Sequence, residues 1–306
     1  MELEKIAEGA QSVPKGNPKY SVCMINYNME DTLEQSLESL LSQLDDNFEV
    51  VLIDDGSSDG SVSVIKKLQS KYTALKLYEY PRDPKRNMGA TRNISIEKAS
   101  GEYVLLHLDC DDVFGPYIKD FILIFHKIEE AVKKNILLSG MHINMGRRDF
   151  LLSKGPYRNI FYTEDRDMWN RLAAEDAYQP IKHVDFVQRL PRKTSRKYWR
   201  AFTYTWKIMC NDFTGGTSLK QYLRYEYQKR HKFSMRLRLY RALIMIPCYL
   251  MTRFSSPLPG QGGNLSHEEF SEYRKKKLGT YTQIMRRAGQ EASLQFLRSE
   301  ARDIFA

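Results

Sequence analysis

The sequence lacks the cysteine pattern of a disulfide scaffold or of a zinc site. Four cysteines occur among its 306 residues, and no two of them form a CxxC pair. They are Cys23, Cys110, Cys210 and Cys248. We therefore expect reduced thiols in a cytoplasmic protein.

Long apolar runs and glycine-rich phosphate loops are missing as well. No apolar stretch approaches the ~20 residues that a membrane-spanning helix needs. The first residues, MELEKIAEGA, contain no apolar signal core, and we interpret residues 1–19 as a loose leader. Neither GxGxxG nor GxxxxGK(S/T) follows the first predicted strand. This absence argues against a Rossmann dinucleotide site and against a P-loop.

Acidic residues are outnumbered by basic ones. The chain has 47 lysines and arginines against 38 aspartates and glutamates, which gives a formal net charge of +9. Such a balance favours polyanionic partners, which include nucleotide phosphates, nucleic acid and anionic membrane surfaces. The hydrophobic content of 42% is sufficient for a substantial core.

Apolar strand patterns alternate with helical patterns along the first half of the chain. We predict strands at Tyr20–Ile25, Phe48–Ile53, Leu75–Tyr80, Tyr103–Leu108, Ile136–Asn144 and Ile181–Val187. A capping-box pattern at Asp31–Glu34 predicts a helix start. This alternation indicates an α/β fold with a mostly parallel sheet flanked by helices. Right-handed crossovers would place the strand tips at one edge of the sheet.

After Gln188 the composition changes to tyrosine, tryptophan, lysine and arginine in segments of helical character. We therefore predict a domain boundary near Gln188, with an α/β domain at residues 20–187 and a helical, basic C-terminal region at residues 188–306. The helical segments are predicted at Arg196–Cys210, Leu219–Arg253 and His267–Arg287.

Three carboxylates follow the predicted strand Tyr103–Leu108. Asp109, Asp111 and Asp112 lie within four positions, and such close carboxylates repel one another. A divalent cation with a preference for oxygen ligands, Mg²⁺ or Mn²⁺, would compensate that repulsion. The alternative interpretation is a solvated acidic turn at the end of a strand.

Four segments, taken in order, resemble the inverting family 2 glycosyltransferases of GT-A fold. They are Tyr20–Asn28, Val51–Ser61, Gly89–Asn93 and Gly101–Asp112. The resemblance covers residues 20–187 and is specific as an ordered set. It implies a nucleotide-sugar donor and a divalent cation, Mn²⁺ or Mg²⁺. We favour a UDP-sugar, with a GDP-sugar as the second choice.

The resemblance also implies which residues bind the donor. Tyr27 would lie against the base, and Asp55 would accept a hydrogen bond from an N–H group of the base. Asn87 or Arg92 would lie near the donor. Asp109 would lie near the ribose or the sugar.

The metal and the catalytic base are implied in the same way. The segment Asp109–Asp112 matches the family's DxD region, so Asp111 and Asp112, joined by Asp109, would hold the cation. The segment Thr163–Asp165 matches the family's ED region. A carboxylate there would take the proton of the acceptor hydroxyl. Asp165 is our first choice for this base, and Glu164 is the second.

Each of these assignments has a purely structural alternative. Tyr27 could be an ordinary surface aromatic, Arg92 could form an ion pair on its helix, and Asp165 could be a helix-start acid. We interpret His107 as a satisfied core histidine and Trp169 as a packing residue.

One departure from the family pattern concerns processivity. Processive members carry QxxRW after the ED region, and neither Gln188–Arg192 nor Lys197–Arg200 fits it. We therefore expect a non-processive enzyme that transfers one sugar or a few.

The predicted acceptor is a hydroxyl group, on a lipid-linked glycan. The alternative is direct transfer to a polyprenyl or dolichyl phosphate, which is already ionised and has less need of a base. Two other classes are a nucleic-acid-binding protein that uses the basic aromatic C-terminal region and a nucleotidyltransferase, whose glycine-rich signature is missing. We expect no nucleic-acid partner.

The stretch Ala242–Met251 is strongly apolar and has basic flanks. It is too short to span a bilayer, and its composition is typical of a helix that lies in a membrane interface. We therefore expect a peripheral protein on the inner face of the cell membrane. The alternative is that this stretch packs on the catalytic domain or in a dimer.

Overall fold

Strands and helices alternate along the first half of the chain, as the sequence predicts. The structure is a computed structural model that describes residues 17–160, 163–191, 197–214, 217–232, 234–253 and 264–306. Its first elements are β1 (Tyr20–Asn26), α1 (Glu30–Leu41), β2 (Phe48–Asp54), α2 (Ser61–Gln69), β3 (Leu75–Glu79), α3 (Met88–Lys98), β4 (Tyr103–Leu106), β5 (Asp112–Phe114), α4 (Ile118–Val132), β6 (Leu137–Ser139), β7 (Asn144–Arg147) and α5 (Arg148–Ser153). Then follow α6 (Glu164–Ala174), β8 (Tyr178–Pro180), β9 (Val187–Arg189), α7 (Lys197–Thr214), α8 (Leu219–Lys229), α9 (Met235–Arg253), α10 (His267–Lys277), α11 (Tyr281–Arg287) and α12 (Ser299–Phe305).

Seven strands form one sheet in the order β3-β2-β1-β4-β7-β6-β8. The strands β3, β2, β1 and β4 are parallel, whereas β7 is antiparallel to both β4 and β6, and β8 is parallel to β6. The carboxyl ends of β1, β2 and β4 therefore lie at one edge, where open α/β sheets bind ligands. The predicted α/β fold with a mostly parallel sheet flanked by helices is confirmed.

The central strand β2 is buried along its whole length and packs on both faces. Leu52 belongs to the same apolar cluster as Leu37 of α1. The next residue, Ile53, belongs to a second cluster that contains Ile96 of α3. Successive side chains of a strand point to opposite faces, so helices cover both faces of the sheet.

The start of α1 differs from the prediction. The helix begins at Glu30, and no side-chain cap bond is present at its N-cap Met29, so the predicted capping box at Asp31–Glu34 is wrong. Side chains of the neighbouring turn bind the first amides instead. The N–H of Met29 donates to Ser61 Oγ over 2.9 Å, and the N–H of Glu30 donates to Asp59 Oδ2 over 3.2 Å.

The predicted strand Ile136–Asn144 is wrong beyond Ser139. It contains β6, a turn and only the first residue of β7, which pairs antiparallel with β6. His142 in that turn has φ +58°, a left-handed conformation that interrupts an extended chain.

The predicted strand Ile181–Val187 is also wrong. Ile181, His183 and Phe186 are buried, a spacing that departs from strict alternation after His183. Residues 181–186 lie between β8 and β9, and Val187 is the first residue of β9. The N–H of Val184 donates to the carbonyl of Ile304 in α12, so this segment is irregular and packs on the C-terminal helix.

The helical character of the C-terminal region is confirmed, with more breaks than the sequence indicates. The segment Leu219–Arg253 forms α8 and α9, and the segment His267–Arg287 forms α10 and α11. Helix α9 continues through Pro247, although proline removes one backbone N–H. Pro247 is exposed, so water can bind the carbonyl that loses its partner. Among the helices that the structure describes, none is both long and apolar enough to cross a bilayer.

Two parts of the C-terminal region pack differently. Helices α7, α8 and α9 surround a small apolar cluster of their own, made of Met209, Phe213, Tyr222, Ile244 and Cys248. By contrast, Tyr281, Ile284 and Phe305 join the main core beneath the sheet. Strand β9 crosses the predicted boundary between residues 187 and 188 and pairs with β5. That domain division stays a prediction.

Candidate active site

Two adjacent aspartates at the end of β2 have different partners. Asp54 binds backbone N–H groups of the following turn, and Asp55 binds two arginines. Asp54 accepts hydrogen bonds from the Asn26 side chain, over 2.7 Å, and from the N–H groups of Gly56 and Ser57. Gly56 has φ +75°, and a Cβ there would lie 2.5 Å from the backbone nitrogen of Arg82. A glycine is therefore required where this turn meets the basic loop at residues 81–87, which connects β3 to α3.

Asp55, a predicted donor-binding residue, lies at the base of that loop. It accepts hydrogen bonds from Arg82 and from Nε of Arg86, the latter over 2.7 Å. The Arg82 guanidinium also lies 4.9 Å from the ring centroid of Tyr27, whose side chain is exposed. The structure thus brings Tyr27 and Asp55 to one place. Sequence reasoning assigned no role to Arg82 or Arg86, although residues 81–87 form a basic stretch.

Asn87 is the N-cap residue of α3 and is fixed to the loop before α6. Its backbone N–H donates to Oδ1 of Asn159 over 2.9 Å, and its side chain donates to the carbonyl of Asn159 over 3.3 Å. A Cβ on Gly89 would lie 2.0 Å from the carbonyl oxygen of Arg158. Gly89 therefore permits the close packing of this loop on α3.

Arg92 connects the two acidic motifs. It is buried, and it donates to Glu164 from Nε and to Asp109 Oδ1 from a terminal nitrogen, each over 3.2 Å. The next residue, Asn93, exchanges hydrogen bonds with the backbone of Tyr157. The predicted residues Arg92, Asp109 and Glu164 are thus in direct contact, although they are far apart in the sequence.

His107 faces the candidate base, which differs from its interpretation as a satisfied core histidine. Strand β4 ends at Leu106, and His107 has φ +69°. Its Nε2 lies 3.2 Å from Oδ2 of Asp165. Within the described residues, Nδ1 of His107 and Oδ1 of Asp165 are buried without a hydrogen-bond partner. Trp169 contacts the His107 ring edge to face and stacks on Tyr178, which is the predicted packing role.

The environment separates the proton affinities of the two adjacent acids. Burial and the charge of Asp165 raise the pKa of Glu164. Burial would also raise the pKa of Asp165, but Arg92 and His107 outweigh it and hold the pKa below its usual range. The pKa values of the two neighbouring carboxyls are thus shifted in opposite directions. Asp165 stays ionised at neutral pH, and Glu164 takes up a proton more readily.

The three carboxylates of the DxD region form a compact group. Ligand atoms of Asp109, Asp111 and Asp112 lie within 4.8 Å of one another. Burial would raise the pKa of Asp109, but Arg92 and His107 keep it low. Ionised oxygen ligands at this spacing fit Mg²⁺ or Mn²⁺.

Arg189 of β9 also binds this group of carboxylates. Its Nε donates to Oδ1 of Asp112 over 2.8 Å, and a terminal nitrogen donates to Oδ2 of Asp109 over 3.0 Å. The same nitrogen lies 3.9 Å from Asp111. Sequence reasoning missed this residue, because it compared Arg189 only with the QxxRW pattern. The signal that locates it is the pairing of β5 with β9, which sequence does not reveal.

Comparison with known proteins identifies the family of the chain. The sequence pattern described as Glycosyl transferase family 2 matches residues 21–186, more than half of the chain. The chain belongs to glycosyl transferase family 2. In this family 2 member, the matched residues include every predicted site residue, from Tyr27 to Asp165.

Individual relatives match shorter parts. An uncharacterized glycosyltransferase of Haemophilus influenzae is 41% identical over 95 residues, which cover 31% of this chain and 37% of that protein. A cholesterol galactosyltransferase of Borreliella burgdorferi is 35% identical over 156 residues, which cover 47% of this chain and 42% of that protein. The matches thus span less than half of each relative.

Solved structures show distant similarity. A mannosyltransferase of Pyrobaculum calidifontis, in complex with GDP-Man and Mn²⁺, has a TM-score of 0.48 at 15% identity and covers 90% of this chain and 87% of that one. Residues 1–349 of S. aureus TarS, in complex with UDP, have a TM-score of 0.48 at 19% identity and cover 62% of this chain and 64% of that one.

Proposed function

We propose that this family 2 member is a metal-dependent, inverting, non-processive glycosyltransferase that moves a sugar from a nucleotide-sugar donor to a hydroxyl acceptor. One observation carries the proposal. Arg92 donates hydrogen bonds of 3.2 Å to Asp109 and to Glu164. Asp109 belongs to the three carboxylates Asp109, Asp111 and Asp112, which we call the acidic triad, and Glu164 belongs to the ED region. The proposed metal ligands and the proposed base therefore lie next to each other in one site.

The donor would lie across the strand ends. Tyr27 would contact the base, and Asp55 would accept a hydrogen bond from it. Asp55 is already bound by Arg82 and Arg86, so a base N–H must share the carboxylate with them or replace one of them. Asn87, Arg92 and Asp109 would contact the donor between its base and the cation. We favour a UDP-sugar over a GDP-sugar.

Asp111 and Asp112, with Asp109 as the third ligand, would hold the Mn²⁺ or Mg²⁺. When bound, such an ion neutralises charge on the leaving diphosphate. The residues fit it, because three carboxylates that repel one another have ligand atoms within 4.8 Å of one another, which is within reach of one ion.

Asp165 is the proposed general base, because a hydroxyl must lose its proton as it attacks. The Arg92 guanidinium and His107 keep Asp165 ionised, so it is ready to accept that proton. Glu164, bound to Arg92 and with a raised pKa, is the second candidate. Attack from the side opposite the leaving diphosphate would invert the anomeric centre.

The acceptor is proposed to be a hydroxyl carried by a lipid or a lipid-linked glycan, at the inner face of the cell membrane. The Borreliella relative is named for galactosyl transfer to cholesterol, a lipid whose acceptor group is a hydroxyl. The alternative acceptor, a polyprenyl or dolichyl phosphate, would not require Asp165 as a base.

A panel of UDP-sugars and GDP-sugars tests the proposal through release of the nucleoside diphosphate, with Mn²⁺, with Mg²⁺ and with EDTA. We expect turnover of one UDP-sugar with metal and none with EDTA. The anomer of the product, determined by NMR, should be inverted. Metal-independent turnover, or no turnover of any donor in the panel, would contradict the proposal.

A further inference from the structure

Helix α9 has two faces of opposite character. Its exposed face carries an aliphatic row at spacings of three and four residues: Met235, Leu239, Leu243, Ile246 and Leu250. Met235 and Leu243 are each 76% exposed. Large aliphatic side chains in a continuous row on a surface mark an interaction site.

The opposite face of α9 fixes the helix to the protein. Ile244 is 8% exposed and packs with Met209 of α7. Arg241 donates from Nε to both carboxylate oxygens of Glu226 over 3.0 Å, and from a terminal nitrogen to the hydroxyl of Tyr222 over 2.9 Å. Only one side of the apolar stretch Ala242–Met251 therefore packs against the protein, and its other side is exposed.

Helix α8 extends the apolar surface. A groove of about 350 Å³ runs between α8 and α9. Its apolar lining comes from both helices and consists of Leu223, Tyr227, Met235, Leu239, Ala242 and Met245. Arg230, Arg238 and Glu226 also line the groove, so two basic side chains and one acidic side chain border it. We call this groove together with the aliphatic row of α9 the α8–α9 face.

The charge of this segment is almost entirely positive. Residues 219–253 contain nine lysines and arginines and one acidic residue, Glu226, which is bound to the buried Arg241. The arginines Arg230, Arg236, Arg238 and Arg253 are exposed. The α8–α9 face therefore combines aliphatic side chains with a surrounding excess of positive charge.

We infer that the α8–α9 face is a docking surface for an anionic lipid bilayer. Aliphatic side chains would enter the boundary of the acyl region while the arginines bind anionic headgroups. A symmetric contact with a second copy would place the same arginines opposite one another, which is unfavourable. Single-stranded nucleic acid would need a series of aromatic platforms, whereas the exposed row is aliphatic.

This surface is connected to the candidate active site by two contacts. Arg166, next to Asp165 in the sequence, forms an ion pair with Asp212 of α7, and α9 packs on α7. Docking would therefore hold the helix that carries the proposed base close to the membrane. The inference deepens the proposed function and rests on it only for the lipid-borne acceptor.

Flotation of the full chain with liposomes tests the surface. The probes are vesicles of phosphatidylcholine alone and of phosphatidylcholine with phosphatidylglycerol. We expect flotation with the anionic vesicles at low salt and weaker flotation at ~0.5 M NaCl, because salt screens the arginines. The double variant Leu243→Asp and Leu250→Asp should reduce the floated fraction about tenfold. The double variant Arg236→Glu and Arg238→Glu should also lose flotation, and Arg236→Lys with Arg238→Lys should keep it.

The matched control places aspartate at two exposed aliphatic positions elsewhere, Leu123 and Val184. This control should float as the wild type does. The inference is overturned if the wild type fails to float with anionic vesicles, if the control loses flotation equally, or if sedimentation shows a wild-type dimer that Leu243→Asp and Leu250→Asp dissociate.

Donor hydrolysis, measured on the same proteins, separates this inference from the proposed function. None of the substituted positions lies in the candidate site, so hydrolysis should be unchanged in all variants. Hydrolysis without flotation would overturn the docking surface alone. Flotation without hydrolysis of any donor would overturn the proposed function alone.

Discussion

Arg189 donates a hydrogen bond from Nε to Oδ1 of Asp112 over 2.8 Å, and Asp112 is fully buried. The two residues are 77 positions apart, and the pairing of β5 with β9 brings them together. A buried carboxylate needs a compensating charge. Arg189 therefore binds the acidic triad at the place where a divalent cation is proposed to bind, and the two positive groups compete for the same oxygens.

Replacement of Arg189 by alanine should strengthen Mn²⁺ binding in the absence of donor. The ion would no longer have to displace a charge-assisted hydrogen bond, which contributes ~1.5–3 kcal/mol, so we expect roughly 10- to 100-fold tighter binding. Calorimetry with Mn²⁺ measures this directly. Arg189→Lys retains the charge and should change affinity less. Unchanged or weaker Mn²⁺ affinity in Arg189→Ala would show that Arg189 does not compete with the ion.

The neutral variants Asp111→Asn and Asp112→Asn should each lower turnover by at least ~100-fold with the fold intact. The expected cause is loss of the charge that holds the cation at the leaving diphosphate. Turnover is measured after EDTA treatment and again after metal is restored, alongside circular dichroism. Asp46→Asn, at an exposed position outside the site, is the control. Near-normal turnover in both triad variants would remove these residues from the metal site.

The acid limb of the kcat profile should move to higher pH in His107→Gln. Asp165 has a depressed pKa, so its carboxylate persists as pH falls until that low value is reached. Burial raises the pKa of Asp165 and His107 lowers it, so removal of His107 should raise the pKa of Asp165. The measurement is kcat against pH at saturating donor, with His126→Gln as a control outside the site. If the acid limb stays in place or moves to lower pH, His107 does not lower the pKa of Asp165.

Substitution of Gly89 by alanine should destabilise the protein. The added Cβ would lie 2.0 Å from the backbone carbonyl of Arg158, which cannot yield as a flexible side chain would. Overpacking of this kind costs ~1–3 kcal/mol of the free energy of unfolding. Urea denaturation measures the change. Ala90→Gly, at the next position of α3, should cost only ~1 kcal/mol through lost helix propensity. Equal costs for the two variants would mean that the loop does not pack closely here.

The sequence predicts the strands that carry the site because their patterns are local and strong. Strands β1, β2 and β3 agree with their predicted bounds to within a residue. The acids after β4 were found for the same reason, since an apolar strand that ends in three carboxylates is visible without tertiary information.

What sequence could not predict depends on tertiary contacts. His107 continues an apolar strand pattern, and only its left-handed backbone turns the ring toward Asp165. Arg189 has no neighbouring motif, and its role follows from a strand pairing across 77 positions. The segment Ile181–Val187 shows the converse. Ile181 and Phe186 are buried, but the segment is irregular up to Phe186, and only Val187 belongs to a strand.

The most direct test of the account is turnover by Asp165→Asn, measured separately from donor binding. The nucleotide sugar selected by the panel is titrated against wild type and variant in the presence of Mn²⁺, and kcat is then measured at saturating donor and acceptor. The account predicts unchanged donor affinity and a kcat lower by ~10²–10⁴-fold, because the acceptor hydroxyl loses its base. Weakened donor binding with unchanged kcat at saturation would contradict it and would place Asp165 in the donor site instead.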